Sequence, residues 1–159
     1  EIIFSPDETK YFVTCQNTNE IRVMKTSDDS WMATIPNIYF PQELALSKST
    51  DYLFVTSPED TVSFPGKRGS ISVINYKTNT FQKKIFTGFQ PHGIAADDDK
   101  NLVYVANRNA NPSGPAPHHT SACGGRNGYI SIIDLNTLEL VPGYKAEVSI
   151  DPYSVAVRK

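Results

Sequence analysis

The sequence predicts an all-β protein built from repeated four-stranded units. Three observations lead to this prediction: apolar segments recur at intervals of roughly 50 residues, polar turn residues separate them, and no stretch has the spacing of an amphipathic helix. One kind of segment occurs at 11–14, 53–56 and 103–106, and a second, alternating kind occurs at 21–24, 71–74 and 130–133. Repeats of this length, rich in Val, Ile, Tyr and Phe, are typical of the blades of an antiparallel β-propeller.

Each predicted blade has four strands, which we label A to D outward from the axis. Strand A begins with proline, at 41–46, 91–96 and 152–157, and residues 1–4 resemble the end of an earlier copy. The two kinds of apolar segment are strands B and C, and strand D is predicted at 31–35, 81–86 and 145–150. Between strands A and B, polar residues typical of tight turns cluster at 5–8, 47–50 and 97–100.

These strands predict one domain, residues 1–159, that forms part of a propeller. Blade 1 covers about 1–40 with strands B to D, blade 2 about 41–90 and blade 3 about 91–151, and 152–159 form strand A of the next blade. Since propellers have about four to eight blades, three cannot close a ring. We expect a further segment of the polypeptide, or a second chain, to supply the rest.

The composition is that of a globular protein and excludes several classes of function. Of 159 residues, 39% are hydrophobic and 20% are charged, and the net charge is −2. No basic run could follow a phosphate backbone, so we expect no nucleic-acid partner. The apolar runs are much shorter than the roughly 18 residues of a membrane-spanning helix, so no transmembrane segment is predicted. Whether a signal segment or lipid anchor precedes Glu1 stays open.

Three segments resemble a known repeat family. Pro-His-Gly-Ile-Ala at 91–95, Val-Tyr-Val-Ala-Asn at 103–107 and Ile-Ser-Ile-Ile-Asp-Leu-Asn-Thr at 130–137 resemble the YVTN repeats of seven-bladed propellers. That family is similar to the lactonase-like and cytochrome d1-type propellers, and the resemblance covers nearly the whole chain. It implies a seven-bladed ring and an extracytoplasmic location, in the periplasm or at the cell surface. Its members include surface-layer, binding and enzymatic proteins, so the resemblance implies little about activity.

The insertions of this chain lie on one face of the predicted propeller. The loops from D to A and from B to C open on the same face, and the B to C loops at 57–69 and 107–128 are long. The predicted ligand-binding face therefore comprises His92, His118, His119, Arg126, Glu59, Lys67 and Arg68. Arg126 could meet an anionic ligand, although a glycine-rich turn alone also accounts for its neighbours.

Three histidines and one cysteine form a candidate metal site. His118 and His119 are adjacent, Cys123 follows four positions later, and His92 begins strand A of the same blade. Imidazole and thiolate ligands suit zinc or copper, so the candidate cofactor is a transition metal. In the alternative interpretation, His92 belongs to a turn and the other two histidines pack the loop onto its neighbours. Cys123 is also a candidate disulfide partner of Cys15, and that bond would indicate an oxidising compartment.

Two functions follow from these features. The favoured one is an exported binding or scaffold propeller that presents its long loops to a protein or glycan partner. The alternative is a metal- or haem-dependent propeller enzyme, a lactonase-like hydrolase or an oxidoreductase, with its site at the channel mouth. No catalytic motif is present, and only Glu43 and Glu59 could add carboxylates to such a site. The acidic turn at 97–99 could bind calcium, but a solvated turn explains it as well.

Overall fold

The computed structural model describes residues 1–110 and 127–158 and contains thirteen β-strands there. The first four are β1 Ile2–Phe4, β2 Lys10–Cys15, β3 Glu20–Lys25 and β4 Trp31–Pro36. The next four are β5 Leu44–Leu46, β6 Tyr52–Ser57, β7 Ser70–Asn75 and β8 Thr80–Ile85. The last five are β9 Pro91–Asp97, β10 Leu102–Asn107, β11 Asn127–Asp134, β12 Glu139–Leu140 and β13 Ala146–Ile150. Over the described ranges, no helix has the length and apolar character needed to cross a lipid bilayer.

The strands form three antiparallel sheets, which confirms the all-β, four-stranded blade architecture. Blade 1 is β1-β2-β3-β4 and blade 2 is β5-β6-β7-β8. In blade 3, β9, β10 and β11 are the first three strands, and β12 and β13 both pair with β11 at the fourth position. Blade 1 has a strand A in addition to the predicted strands B to D, because residues 1–4, which resemble the end of an earlier copy, contain β1, which pairs with β2. This strand has only three residues and no leading proline.

Two apolar layers join the blades. The first packs Phe12, Ile21 and Val23 of blade 1 against side chains of blade 2 that include Leu44 and Leu53. A second layer packs the opposite flank of blade 2 against β9 and β10 in the same way. Both layers arise because alternate residues of a strand point to opposite faces of its sheet. Each blade thus offers one apolar flank to the preceding blade and one to the following blade.

The register of strands A and B shows which flank is uncovered. Ile2, Leu44 and Ile94 hold the same position in the three blades, since each pairs with the equivalent valine of strand B. Leu44 is 5% exposed and Ile94 is 7% exposed, whereas Ile2 is 56% exposed. Blade 1 therefore presents to solvent the flank that is buried at both internal interfaces.

Residues 152–158 are not a strand, although strand A of a further blade was predicted there. They nevertheless lie beside β9, the innermost strand of blade 3: a Cβ atom added to Gly93 would come within 2.6 Å of the Cα atom of Ser154. Strand A is assigned in the other blades because it pairs with strand B of its own blade. Within the described ranges no strand B follows this segment, so it has the position of a strand A without the pairing.

Candidate binding face

The β6–β7 loop, residues 58–69, is the longest loop between strands B and C that the structure describes in full. At its tip, the Lys67 amide donates to the Phe64 carbonyl at 3.0 Å, and Gly66 between them has φ of 71°. Proline at the second position and a left-handed glycine at the third define a type II turn. The tip is therefore closed by a backbone hydrogen bond within the turn.

A buried carboxylate fixes the base of this loop. The Asp60 side chain accepts hydrogen bonds from the hydroxyls of Ser63 and Ser70, at 2.5 and 2.6 Å, and from the Lys84 ammonium at 2.9 Å. It also accepts from the backbone amides of Val62 and Ser63. Burial would raise the pKa of Asp60, but these hydrogen bonds to the carboxylate outweigh burial and lower the pKa to about 2. The loop is thus anchored by a charged, fully hydrogen-bonded centre.

Lys84 joins that centre to the neighbouring blade. It projects from β8, donates to Asp60 and to the Ser63 hydroxyl at 2.7 Å, and lies 4.4 Å from the centre of the Tyr39 ring. Tyr39 belongs to the loop that runs from blade 1 to blade 2. The cation–π contact therefore ties the D to A connection to the β6–β7 loop.

Glu59 and Arg68, both predicted to face a ligand, are paired with each other. The Arg68 Nε donates to the Glu59 carboxylate at 2.7 Å, and a second guanidinium nitrogen contacts the same oxygen. The Gln90 side-chain amide donates to Glu59 at 3.3 Å. This mostly buried pair joins the two ends of the loop, and through Gln90 it contacts the connection from blade 2 to blade 3. Its position gives the pair a structural role in holding the loop.

Lys67 is exposed, as the prediction of a binding face requires. Its ammonium lies 5.3 Å from the centre of the Phe86 ring and 5.7 Å from that of Phe89. Phe86 in turn packs against Phe64 and Phe89, with ring centres 5.8 and 5.7 Å apart. An aromatic cluster therefore supports the loop tip and holds its cation at the surface.

A groove opens on the outer rim between blades 1 and 2, next to this loop. We call it the rim groove; its volume is about 400 Å³. The aromatic side chains Tyr39 and Phe81 line it together with Ile35 and Pro36 of β4, and Ser63 belongs both to its wall and to the β6–β7 loop. A mostly apolar cavity thus lies directly beside the ordered loop.

His92 lies on the innermost strand of blade 3 and is buried. Its ring packs on Tyr153 with ring centres 3.8 Å apart, its Nδ1 is 3.1 Å from the Tyr153 carbonyl, and it is 3.8 Å from a carboxylate oxygen of Glu43. Burial raises the pKa of Glu43. Arg108, also buried, forms an ion pair with Asp151 beside the same tyrosine. These contacts attach residues 151–153 to blade 3.

The other predicted ligands lie outside the described residues. His118, His119, Cys123 and Arg126 all fall within 111–126, so the transition-metal site and the Cys15–Cys123 disulfide stay predictions. Cys15 itself is half-buried at the end of β2. Over residues 1–110 and 127–158, no three His, Cys, Asp or Glu side chains are grouped as metal ligands would be.

Opposite the binding face, Asp98 of the acidic turn spans two blades. It accepts hydrogen bonds from the hydroxyls of Ser47 and Ser49 at 2.6 and 3.0 Å and from the Lys48 amide at 2.9 Å. These donors belong to the A to B turn of blade 2. The hydrogen bonds lower the pKa of Asp98 against the opposing effect of burial. Asp98 therefore holds a turn of the preceding blade.

Comparison with solved structures supports the propeller fold. The chain is similar to the hydrazine synthase of Kuenenia stuttgartiensis, with TM-score 0.74, 20% identity and coverage of 96% of this chain and 37% of that one. It is also similar to the WD40 repeats of RRP9, with TM-score 0.65, 12% identity and coverage of 99% and 42%. A structure described as a proposed 6-phosphogluconolactonase from Bacteroides fragilis matches with TM-score 0.64, 14% identity and coverage of 95% and 39%.

These similarities concern the fold, because all the identities are low. The chain spans about two fifths of the length of these three structures. The matched propellers include enzymes as well as WD40 repeats, so the architecture by itself does not select an activity. No protein-family model matches the chain, and no curated protein sequence is significantly similar to it.

Proposed function

We propose that this chain is part of an exported propeller of the YVTN type that binds a protein or glycan partner through its long loops. The main support for this proposal is the buried Asp60 carboxylate, which holds the β6–β7 loop by accepting five hydrogen bonds. Loops that bind partners gain affinity when their bound conformation already exists, because less conformational entropy is lost on association. A loop that only connected two strands could be far shorter, as 16–19 in blade 1 is.

The proposed location is the periplasm or cell surface, with or without a lipid anchor, as the YVTN resemblance implies. The ring is completed by further blades, from the same polypeptide or from a second chain. The exposure of Ile2 supports this proposal, because its equivalents Leu44 and Ile94 are buried by the preceding blade. Further blades would also complete the channel at whose mouth His92 and Glu43 lie.

Binding by the loop face is tested with two matched substitutions on opposite faces. Asp60→Asn loosens the β6–β7 loop, whereas Asp98→Asn loosens a turn on the other face. Intact protein is screened against a glycan array and a displayed peptide library, at a temperature at which both variants are folded by circular dichroism. We expect binders whose affinity falls with Asp60→Asn and persists with Asp98→Asn. Equal effects of the two substitutions, or no binder in either screen, would contradict a binding function of this face.

The alternative function, a metal- or haem-dependent enzyme, is tested on the same sample. Native mass spectrometry of protein purified without chelators reports chain mass, stoichiometry and bound metal together. A stoichiometric metal or haem increment that is lost in a His92→Ala, His118→Ala, His119→Ala variant would favour the enzyme. Partner binding that survives in this triple variant would favour the binding propeller.

A further inference from the structure

We propose that the loop face binds an acidic protein segment, which places a large apolar side chain in the rim groove and a carboxylate beside Lys67. This inference rests on the binding function proposed above and chooses protein over glycan as the partner. Three features of the same surface support it: the apolar walls of the groove, the positive charge at the loop tip, and the hydrogen bonds that several polar side chains of the groove already form.

The rim groove suits an apolar anchor. Its volume of about 400 Å³ is large enough for one or two bulky side chains, and its walls include the Tyr39 and Phe81 rings. Phe81 is 45% exposed although it lies at a cavity wall, so an entering side chain would bury apolar surface there. Among the described residues that line the groove, the one cation is Lys84, and it is neutralised by Asp60. The part of a partner that enters the groove is therefore apolar and uncharged.

The loop tip suits an anion. Arg68 and Lys84 each form an ion pair with a carboxylate, whereas Lys67 forms none with any described residue. Its ammonium is held over the Phe86 and Phe89 rings and stays exposed. Val62 of the same loop is 62% exposed. An exposed cation fixed among apolar side chains complements a carboxylate flanked by apolar residues.

Several polar side chains of the groove are already hydrogen-bonded, which disfavours a glycan. Ser63 is bonded to Asp60 and Lys84, and the Asn79 side-chain oxygen Oδ1 accepts from Lys10 Nζ at 2.8 Å. The hydroxyl of Thr80 is 2.7 Å from that of Thr78. A sugar needs several free donors and acceptors for its own hydroxyls, while an apolar side chain needs none.

We expect one extended segment to reach both places. Ser63 lines the groove and lies in the same ordered loop as Lys67, four residues later. Because the type II turn and Asp60 fix this loop, the groove and the cation keep a constant separation. A partner strand of a few residues, with its anchor and its carboxylate at fixed spacing, therefore recognises them together.

The test is fluorescence polarisation of the intact protein with two labelled hexapeptide pools. In the first pool each peptide has one Phe, Leu or Trp and two Asp or Glu; in the second, Asn and Gln replace the acids. We expect the acidic pool to bind about fivefold tighter, with a smaller difference at high salt. Lys67→Gln should abolish the difference and Lys67→Arg should keep it. Phe81→Ala should weaken both pools about tenfold, since it removes a wall of the groove.

Lys48→Gln is the matched control, because Lys48 is an exposed lysine on the opposite face. It should leave both pools unchanged. Lys67 and Phe81 are both exposed, and circular dichroism verifies that each variant is folded. Equal binding of the two pools, or an acidic preference that survives Lys67→Gln, would overturn the inference. If no peptide binds but Asp60-dependent glycan binding is found, the acidic-segment inference fails and the binding function stands; absence of both would remove both.

Discussion

Replacing Asp60 by Asn should destabilise the protein by about 2–3 kcal/mol at pH 7. Asparagine keeps the shape of the side chain but removes its charge, and it leaves the Lys84 ammonium, whose side chain is 13% exposed, without its counter-ion. The pKa of Asp60 falls from 3.8 to about 2 on folding, which corresponds to about 2 kcal/mol. Removing one member of a buried ion pair costs about 3–5 kcal/mol, and partial hydration of Lys84 at the rim reduces that cost.

The same pKa predicts how the cost depends on pH. Because the pKa of Asp60 is lower in the folded than in the unfolded chain, its stabilisation is complete above about pH 5 and is lost as the pH falls through about 2. About half of it is gone at pH 3 by this linkage. The Asn variant has no such titration. The difference in unfolding free energy between wild type and variant should therefore shrink by about 1 kcal/mol between pH 7 and pH 3.

Urea unfolding of the intact protein, followed by circular dichroism at both pH values, measures this difference. Asp99→Asn is the control, because Asp99 is an exposed aspartate of the acidic turn and should leave the transitions unchanged. A cost of Asp60→Asn below about 0.5 kcal/mol at pH 7, or a cost that is the same at pH 3, would refute the anchoring role of this carboxylate.

Three further experiments test the packing between blades. Ser131→Ala should lower the free energy of unfolding by about 1–2 kcal/mol, because the Ser131 hydroxyl bridges blades 2 and 3. Ser72→Ala, at the equivalent position of blade 2, should leave it unchanged, because the buried Ser72 hydroxyl has no hydrogen-bond partner among the described residues. Chemical denaturation of the two variants measures the difference. If further blades complete the ring, Ile2→Ala should lower stability about as much as Leu44→Ala, by about 2–4 kcal/mol, and a neutral Ile2→Ala would show that its flank stays open. Gly93→Ala should lower the melting temperature and increase proteolysis of residues 152–158, because its Cβ would meet their backbone; an unchanged cleavage pattern would contradict that packing.

The repeat predicted the blades well because it records burial on both faces of each strand. Leu53-Phe54-Val55 is apolar at every position because alternate residues pack into the two interblade layers. Such a strand can be predicted from a single sequence. Strands that lack such a layer are harder to identify. The two-residue strand β12 has too few residues to show a period, and 152–158 have the residues of a strand without its pairing.

The charged residues of the loop face were predicted less well, because side-chain type does not reveal a partner. Glu59 and Arg68, which were predicted to face a ligand, form a pair with each other, and their contact with a ligand stays a prediction. Asp60, which organises the loop, was not among the predicted site residues, and its partner Lys84 lies 24 positions later, on strand β8. No periodicity of the sequence links these two residues.

The reach of Asp98 into the preceding blade links the two blades thermodynamically. The Lys48 amide belongs to blade 2, whereas its hydrogen-bond acceptor, the Asp98 carboxylate, belongs to blade 3. When blade 3 opens locally, that amide loses its acceptor even if every strand of blade 2 remains paired. Its hydrogen-exchange rate should therefore report the opening of the neighbouring blade, a nearest-neighbour coupling of the kind that governs repeat proteins.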